Sequence, residues 1–182
     1  MAEDVRALVE AIHASPSRAV LAVSGAGSQA LAWLLGVGGA SRTVLEATVP
    51  YAQSSFIAYA GSAPGEFASL EAARALATAS FARAQALTKG DANGTPLLGV
   101  GCAATIATDR LKRGEHRAYI AVTSSAGTRG YSLNLEKGAR ERAGEEDLVS
   151  RLLLRALAEA SGVDGSALAL PLLASEHIEE TA

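Results

Sequence analysis

The sequence predicts an α/β protein: a three-layer α/β/α sandwich with a mixed, mostly parallel sheet. Three observations carry this. Apolar runs at residues 19–23 and 96–104 and a β-branched run at 42–49 alternate with helical apolar periods, the pattern of helices laid over a sheet. A later run, residues 130–136, places Tyr131, Leu133 and Leu135 in alternation with polar residues, as a half-exposed antiparallel strand does. Aromatic residues make up only 4% of the chain while Ala and Gly abound, so the core is expected to be small-residue, with helices lying close to the sheet.

Taken in order, residues 3–13 set Val5, Leu8, Val9 and Ile12 on one helical face, and Ser15-Pro16-Ser17 stops that helix. A strand at 18–24 runs into the turn Ser24-Gly25-Ala26-Gly27-Ser28 and a helix at about 27–35, which Gly36 to Gly39 ends. The β-branched residues of 42–49 read as a second strand, Pro50 breaks it, and 51–59 reads as a short helix. After a loop with Pro64-Gly65, residues 69–89 form the longest helix, with Ser69 as N-cap and Glu71 in its first turn. Residues 96–104, with two glycines, read as a buried strand. Residues 105–117 are polar and basic, carrying Arg110, Lys112, Arg113, His116 and Arg117. Strands at 117–125 and 130–136 meet at Ala126-Gly127, and a helix at about 145–161 carries Leu148, Leu152, Ala156, Leu157 and Ala160. Residues 164–182 read as a tail without a strong period.

With 182 residues the chain suits one such domain. A net charge of −3 leaves no basic footprint for nucleic acid, and there are no aromatic platforms for stacked bases. No apolar stretch is long enough to span a bilayer, and the acidic amphipathic start is not a signal peptide. One cysteine, Cys102, excludes an internal disulfide framework and suits a reducing cytoplasm. His13, His116 and His177 are far apart, and neither a metal nor a cofactor is expected.

The turn at 24–28 opens a helix after a strand, where unpaired N–H groups and the helix dipole favour an anion. It is neither a P-loop nor a dinucleotide fingerprint, and it lacks the Gly before Ser24 that a nucleophile elbow needs. A ligand turn formed by Gly25, Ala26, Gly27 and Ser28 and a purely structural turn both remain open. The basic segment lies between strands, where sheet ends take ligands, so Arg110, Lys112, Arg113 and His116 are candidate phosphate or carboxylate contacts. Its alternative is a solvated loop. Cys102 reads as a buried small residue, and Trp33 as core or interface. Tyr51 follows a strand and Pro50, so its hydroxyl is placed to face the cleft of Ser24.

The arrangement resembles the CinA C-terminal-domain family, whose characterised members are nicotinamide mononucleotide amidases. That family's marks are a strand ending in Glu-Ser-Cys-Thr-Gly-Gly, a Val-Pro-Gly-Ser-Ser turn, and a strand ending in Val-Ala-Tyr-Ser-Asn-x-x-Lys. The matching pieces here are Val23 to Ser28, Val37 to Ser41, and Val49 to Phe56. The likeness runs from about residue 5 to 162, implying a CinA-like domain at 1–163 and a tail at 164–182. The segment 99–122 is also similar to a divergent CinA-like branch found fused to mononucleotide adenylyltransferase-like modules.

In that family the motif serine attacks a carboxamide, helped by the tyrosine and the lysine. The resemblance implies that Ser24 is the nucleophile and that Tyr51 orients or relays the proton. Phe56 stands at the lysine position, Val23 at the motif glutamate, and Cys102 to Thr105 where the phosphate loop Gly-Ile-Ala-Gly belongs. A serine hydroxyl without a base is a poor nucleophile, and losing a general base commonly costs ~10²–10⁴-fold in rate. Of the chain's lysines, Lys89, Lys112 and Lys137, only Lys112 is near a site loop; His116 is the substitute base. The expectation is a domain that binds a pyridine-nucleotide-like phosphorylated small molecule, with the active amidase as the alternative. The resemblance also implies a homodimer.

Overall fold

The computed structural model describes residues 1–90, 94–109 and 114–182. One six-stranded mixed sheet runs through it in the order β2-β1-β3-β4-β5-β6. The strands are β1 (Arg18–Ser24), β2 (Val44–Thr48), β3 (Leu97–Thr105), β4 (His116–Ser124), β5 (Gly127–Leu135) and β6 (His177–Thr181). β1 pairs in parallel with β2 on one side and β3 on the other, whereas β3–β4, β4–β5 and β5–β6 are antiparallel. The helices are α1 (Glu3–Ala14), α2 (Ser28–Gly36), the single turn α3 (Ala40–Thr43), α4 (Gln53–Ala60), α5 (Leu70–Leu87) and α6 (Arg142–Ala160). The α/β/α sandwich expected from the sequence is what folds.

Side-chain alternation sorts each strand between two cores. Ala19, Leu21 and Val23 of β1, Val100 and Cys102 of β3, and Ala118, Ile120 and Val122 of β4 pack with α1, α2 and α6. The other face sends Ala22, Ala103 and Ala121 against Phe56, Ala72, Ala73, Leu76 and Ala77 of α4 and α5. That second core is alanine-rich for a steric reason. A Cβ at Gly99 would lie 2.2 Å from Ala77 O and Phe81 N, and one at Gly101 would lie 2.2 Å from Ala73 O. The α5 backbone therefore rests directly on β3, the close approach foreseen from the composition. Ser69 caps α5 as expected, its hydroxyl accepting from Ala72 N at 3.1 Å.

Two readings change. Residues 40–43 form a helical turn, so the second strand begins at Val44 rather than at 42. The tail at 164–182 supplies β6, buries Leu168, and is pinned by Glu176, which pairs with Arg140 and accepts from Glu136 N and Leu173 N. Its exposed strand alternates too little for a periodic signal; only the ladder with β5 makes it a strand. His13 is buried and structural: Nε2–H donates to Leu34 O at 2.9 Å, and Nδ1 lies 2.9 Å from the Thr43 hydroxyl. Among the described residues no helix is long and apolar enough to cross a membrane.

Candidate functional site

The chain leaves β1 through α2 and α3 to reach β2, then returns through α4 and α5 to β3 on β1's other side. α2 covers one face and α5 the other, so the carboxyl end of β1 is a switch point, where open α/β sheets form a crevice. Ser24 is the last residue of β1. By alternation it stands on the face of Ala22 and α5.

A cleft of about 450 Å³ opens there, a volume typical of small-molecule sites. Ser24 and Gly25 line it with Tyr51 from the loop after β2, so the structure brings together the serine and tyrosine singled out in the sequence. Tyr51 is 64% exposed, so its ring is not part of the core. The α4–α5 loop contributes Glu66 and Phe67, the end of β3 contributes Thr105, and the entry to β4 contributes Glu115 and Arg117. Arg142, at the start of α6, completes the rim.

Phe56 does not reach this cleft. It is 1% exposed and packs edge-on against Phe67, with ring centroids 5.3 Å apart. Phe56 is thus a residue of the α5-side core. Among the described residues no lysine or histidine lines the cleft.

The turn after Ser24 corrects one expectation. Gly27 N, Gln29 N and the Ser28 hydroxyl all donate to Glu146 Oε1, at 3.0, 3.1 and 2.9 Å, and Ser150 adds its hydroxyl at 3.3 Å. The anion at the amino end of α2 is the chain's own buried carboxylate, supplied by the fifth residue of α6. Gly27 and Ser28 thus spend their donors internally, and Ala26 is buried in the α6-side core. Gly25 alone of the turn's small residues joins Ser24 in the cleft wall. The glycines have steric reasons of their own: Gly25 has φ +87°, and a Cβ there would lie 1.9 Å from Ala104 O. Gly27 has φ +98°. L-residues rarely adopt such angles.

His116 is the second correction. Alternation along β4 turns it to the α6 face with Ala118 and Ile120, the opposite side of the sheet from Ser24. There its Nδ1 lies 2.7 Å from Oε1 of the fully buried Glu145, whose Oε2 accepts from Ala107 N at 2.7 Å. It is a partner of α6 and neither a base for Ser24 nor a phosphate contact in the cleft. Arg110, Lys112 and Arg113 lie outside the described residues; Gly114, next in the chain, lines the cleft.

Sequence reasoning missed Arg142 and Glu66, and named Arg117 only as one of the five cations of the basic segment. Arg142 donates to Ala107 O at 2.9 Å and Gly25 O at 3.3 Å, tying the turn to the loop after β3. Arg117 lies 3.8 Å from Glu66 and 3.5 Å from the Tyr119 hydroxyl, and its buried Nε has no partner among the described residues. Glu66 itself went unnoticed. A cation at the start of a helix has no local signal, because the dipole disfavours it there; a contact across the fold is its reason. Cys102 is fully buried, and desolvation, with the nearby Glu146 charge, pushes its thiol far above the usual range, so it is no nucleophile. Trp33 is half-buried against the α6-side core. No metal-ligating group of three or more side chains occurs among the described residues.

No protein-family model matches the sequence, and no curated protein matches it. Solved structures match the fold. The competence/damage inducible protein CihA from Agrobacterium tumefaciens superposes with a TM-score of 0.67 over 88% of this chain and 97% of that one, at 16% identity. A CinA superfamily protein from Enterobacter cloacae gives 0.63 over 87% and 90%, at 14% identity. One from Escherichia coli gives 0.57 over 89% and 90%, at 13% identity. At such identities the likeness is one of fold, and the fold is that of the CinA superfamily structures.

Proposed function

We propose that this CinA-like domain binds a phosphorylated, pyridine-nucleotide-like small molecule in the Ser24 cleft, without the amidase chemistry of the family it resembles. The observation that carries this reading is the contrast between Ser24 with Tyr51 and Phe56. The first two open onto one cleft at the switch point of the sheet. The third, at the lysine position, is sealed into the α5-side core. A serine hydroxyl needs a base to become a nucleophile, and a buried phenyl ring cannot supply one. His116, the substitute base considered from the sequence, belongs to the other face of the sheet. Binding requires less: a cleft, donors and compensating charge, all of which the rim supplies. Arg110, Lys112 and Arg113 stay in the reading as further contacts. A homodimer stays in it as well, supported by the exposed Leu35, Val49 and Tyr51.

Active hydrolysis through Ser24 is the second reading. It is favoured by Glu66 and Glu115, carboxylates in the same cleft that could accept a proton. Calorimetric titration with nicotinamide mononucleotide, run beside an ammonia-release assay, separates the two. Binding without ammonia release is the expected result. Turnover that Ser24→Ala abolishes would establish the amidase instead, and absence of binding would end both.

A further inference from the structure

We infer that the chain has a second binding site, on the other face of the sheet and at the end away from Ser24, which takes an α-amino acid with an apolar side chain. The ammonium meets Glu159, the carboxylate meets Arg129, and the side chain lies on Val122, Ala156 and Ala160. The site stands apart from the Ser24 cleft and does not depend on what that cleft binds.

Antiparallel pairing of β4 with β3 carries the β4–β5 hairpin to the end of the sheet where β1 and β3 begin, opposite Ser24. The last turns of α6 reach the same end. Between helix and hairpin lies a cavity of about 450 Å³, lined by Val122, Arg129 and Tyr131 from the strands and Ala156, Glu159 and Ala160 from the helix. Val122, Ala156 and Tyr131 are buried and make an apolar floor, with Arg129 opposite Val122 in the β4–β5 register. Ala156 and Ala160 are one helical turn apart, and their short side chains leave the space open.

Glu159 is the unexpected residue. It stands in the last turn of α6, where the helix dipole disfavours a carboxylate. The Tyr131 hydroxyl holds it, donating to Oε2 at 2.7 Å. Burial, and next the bond to Glu159, push that hydroxyl far above its usual range, so it stays protonated and keeps donating. One such bond leaves a carboxylate lone pairs for a further donor. Arg129 Nη1 lies 3.9 Å from the same Oε2, but its side chain is largely exposed, so this pair is weak and open to a better acceptor.

A fixed anion beside a cation forms a dipole, and its complement is a ligand with two opposite charges equally close together. The ammonium and carboxylate of an α-amino acid, joined through one carbon, meet that requirement, and the carboxylate suits the planar guanidinium fork. A ligand with one charge satisfies one partner and faces the other uncompensated. Glu180, opposite Tyr131 on β6, adds negative charge near Arg129 and disfavours a purely anionic ligand.

The test is an NMR titration of the full chain, following the amides of Gly127 and Ala160 and the Nε–Hε signal of Arg129. The titrants are L-leucine, L-leucinamide (no carboxylate), N-acetyl-L-leucine (no ammonium) and glycine (no side chain). Leucine is expected to move all three signals, and each of the others to bind about tenfold more weakly. Arg129→Gln should weaken leucine about tenfold and leave leucinamide unchanged. Glu159→Gln should weaken leucine about tenfold and leave N-acetyl-leucine unchanged. Ala160 is exposed, so Ala160→Leu fills the cavity without entering the core; it should abolish leucine binding even where Glu159→Gln disturbs the end of α6.

The inference is overturned if leucinamide or N-acetyl-leucine binds as tightly as leucine, or if Ala160→Leu binds leucine as the native chain does. It is equally overturned if leucine moves the Gly25 amide instead of Gly127 and Ala160, or moves no signal at all.

Discussion

Glu146→Ala removes the carboxylate on which the turn after Ser24 is hung. One oxygen of Glu146 accepts from Gly27 N, Gln29 N and the hydroxyls of Ser28 and Ser150, all within 3.3 Å. The serines can rotate toward other acceptors. The two backbone N–H groups cannot, since they are fixed by the geometry of a helix end. Stranding a buried donor costs about 1–3 kcal/mol, and losing a negative charge at a helix amino terminus adds about 0.3–1 kcal/mol. The expected loss is about 3–5 kcal/mol of unfolding free energy in urea. In a chain of this size that corresponds to a fall of about 10 °C in the thermal midpoint.

Glu146→Gln keeps an acceptor and loses only the charge, so it should cost less than half as much. Amide exchange at Gly27 and Gln29 should accelerate ahead of the rest of α2. Formate, small enough for the space left by the side chain, should stabilise Glu146→Ala more than the native protein. If Glu146→Ala unfolds within about 1 kcal/mol of the native chain, or if Gln is as damaging as Ala, then the carboxylate is not what holds the turn.

Two further outcomes follow from the fold. Gly99→Ala should destabilise by about 3 kcal/mol or more, because its methyl group would occupy the space of the α5 backbone, whereas Gly36→Ala, with open space around it, should stay within about 0.5 kcal/mol in the same urea titration. Burial pushes the carboxyl of Glu176 up, but Arg140 and the N–H groups of Leu173 and Glu136 outweigh it, holding the group below its ordinary 4.5. A carboxyl depressed in the folded state contributes stability that is full above 4.5 and lost as the pH falls through its folded value. Docking of the β6 segment should therefore weaken below about pH 4.5. Glu176→Gln should remove that dependence, with protease cleavage after residue 164 as the readout.

How much of this was legible beforehand depends on the range over which each residue acts. The alternation of aliphatic runs with helical periods determined the layers, since a strand buried on both faces must be apolar whatever lies beside it. Ser69 read as a cap because its partner is only three residues away. Ser24, followed by small residues, read as the head of a turn because Gly25 and Gly27 need positive φ locally. Other outcomes rest on partners far along the chain. β6 exists only because β5 offers it a ladder.

Sequence alone could say that the turn at 24–28 would attract an anion; it could not say that the anion is Glu146, more than a hundred residues away. It could gather Arg110, Lys112, Arg113, His116 and Arg117 into one basic segment. It could not say that the period of two along β4 sends His116 to Glu145 under one face while Arg117 goes to the cleft on the other. Local propensity and periodicity are properties of neighbouring residues, and they reached as far as the layers and the turn. Which charge meets which, and on which side of the sheet, was decided by packing.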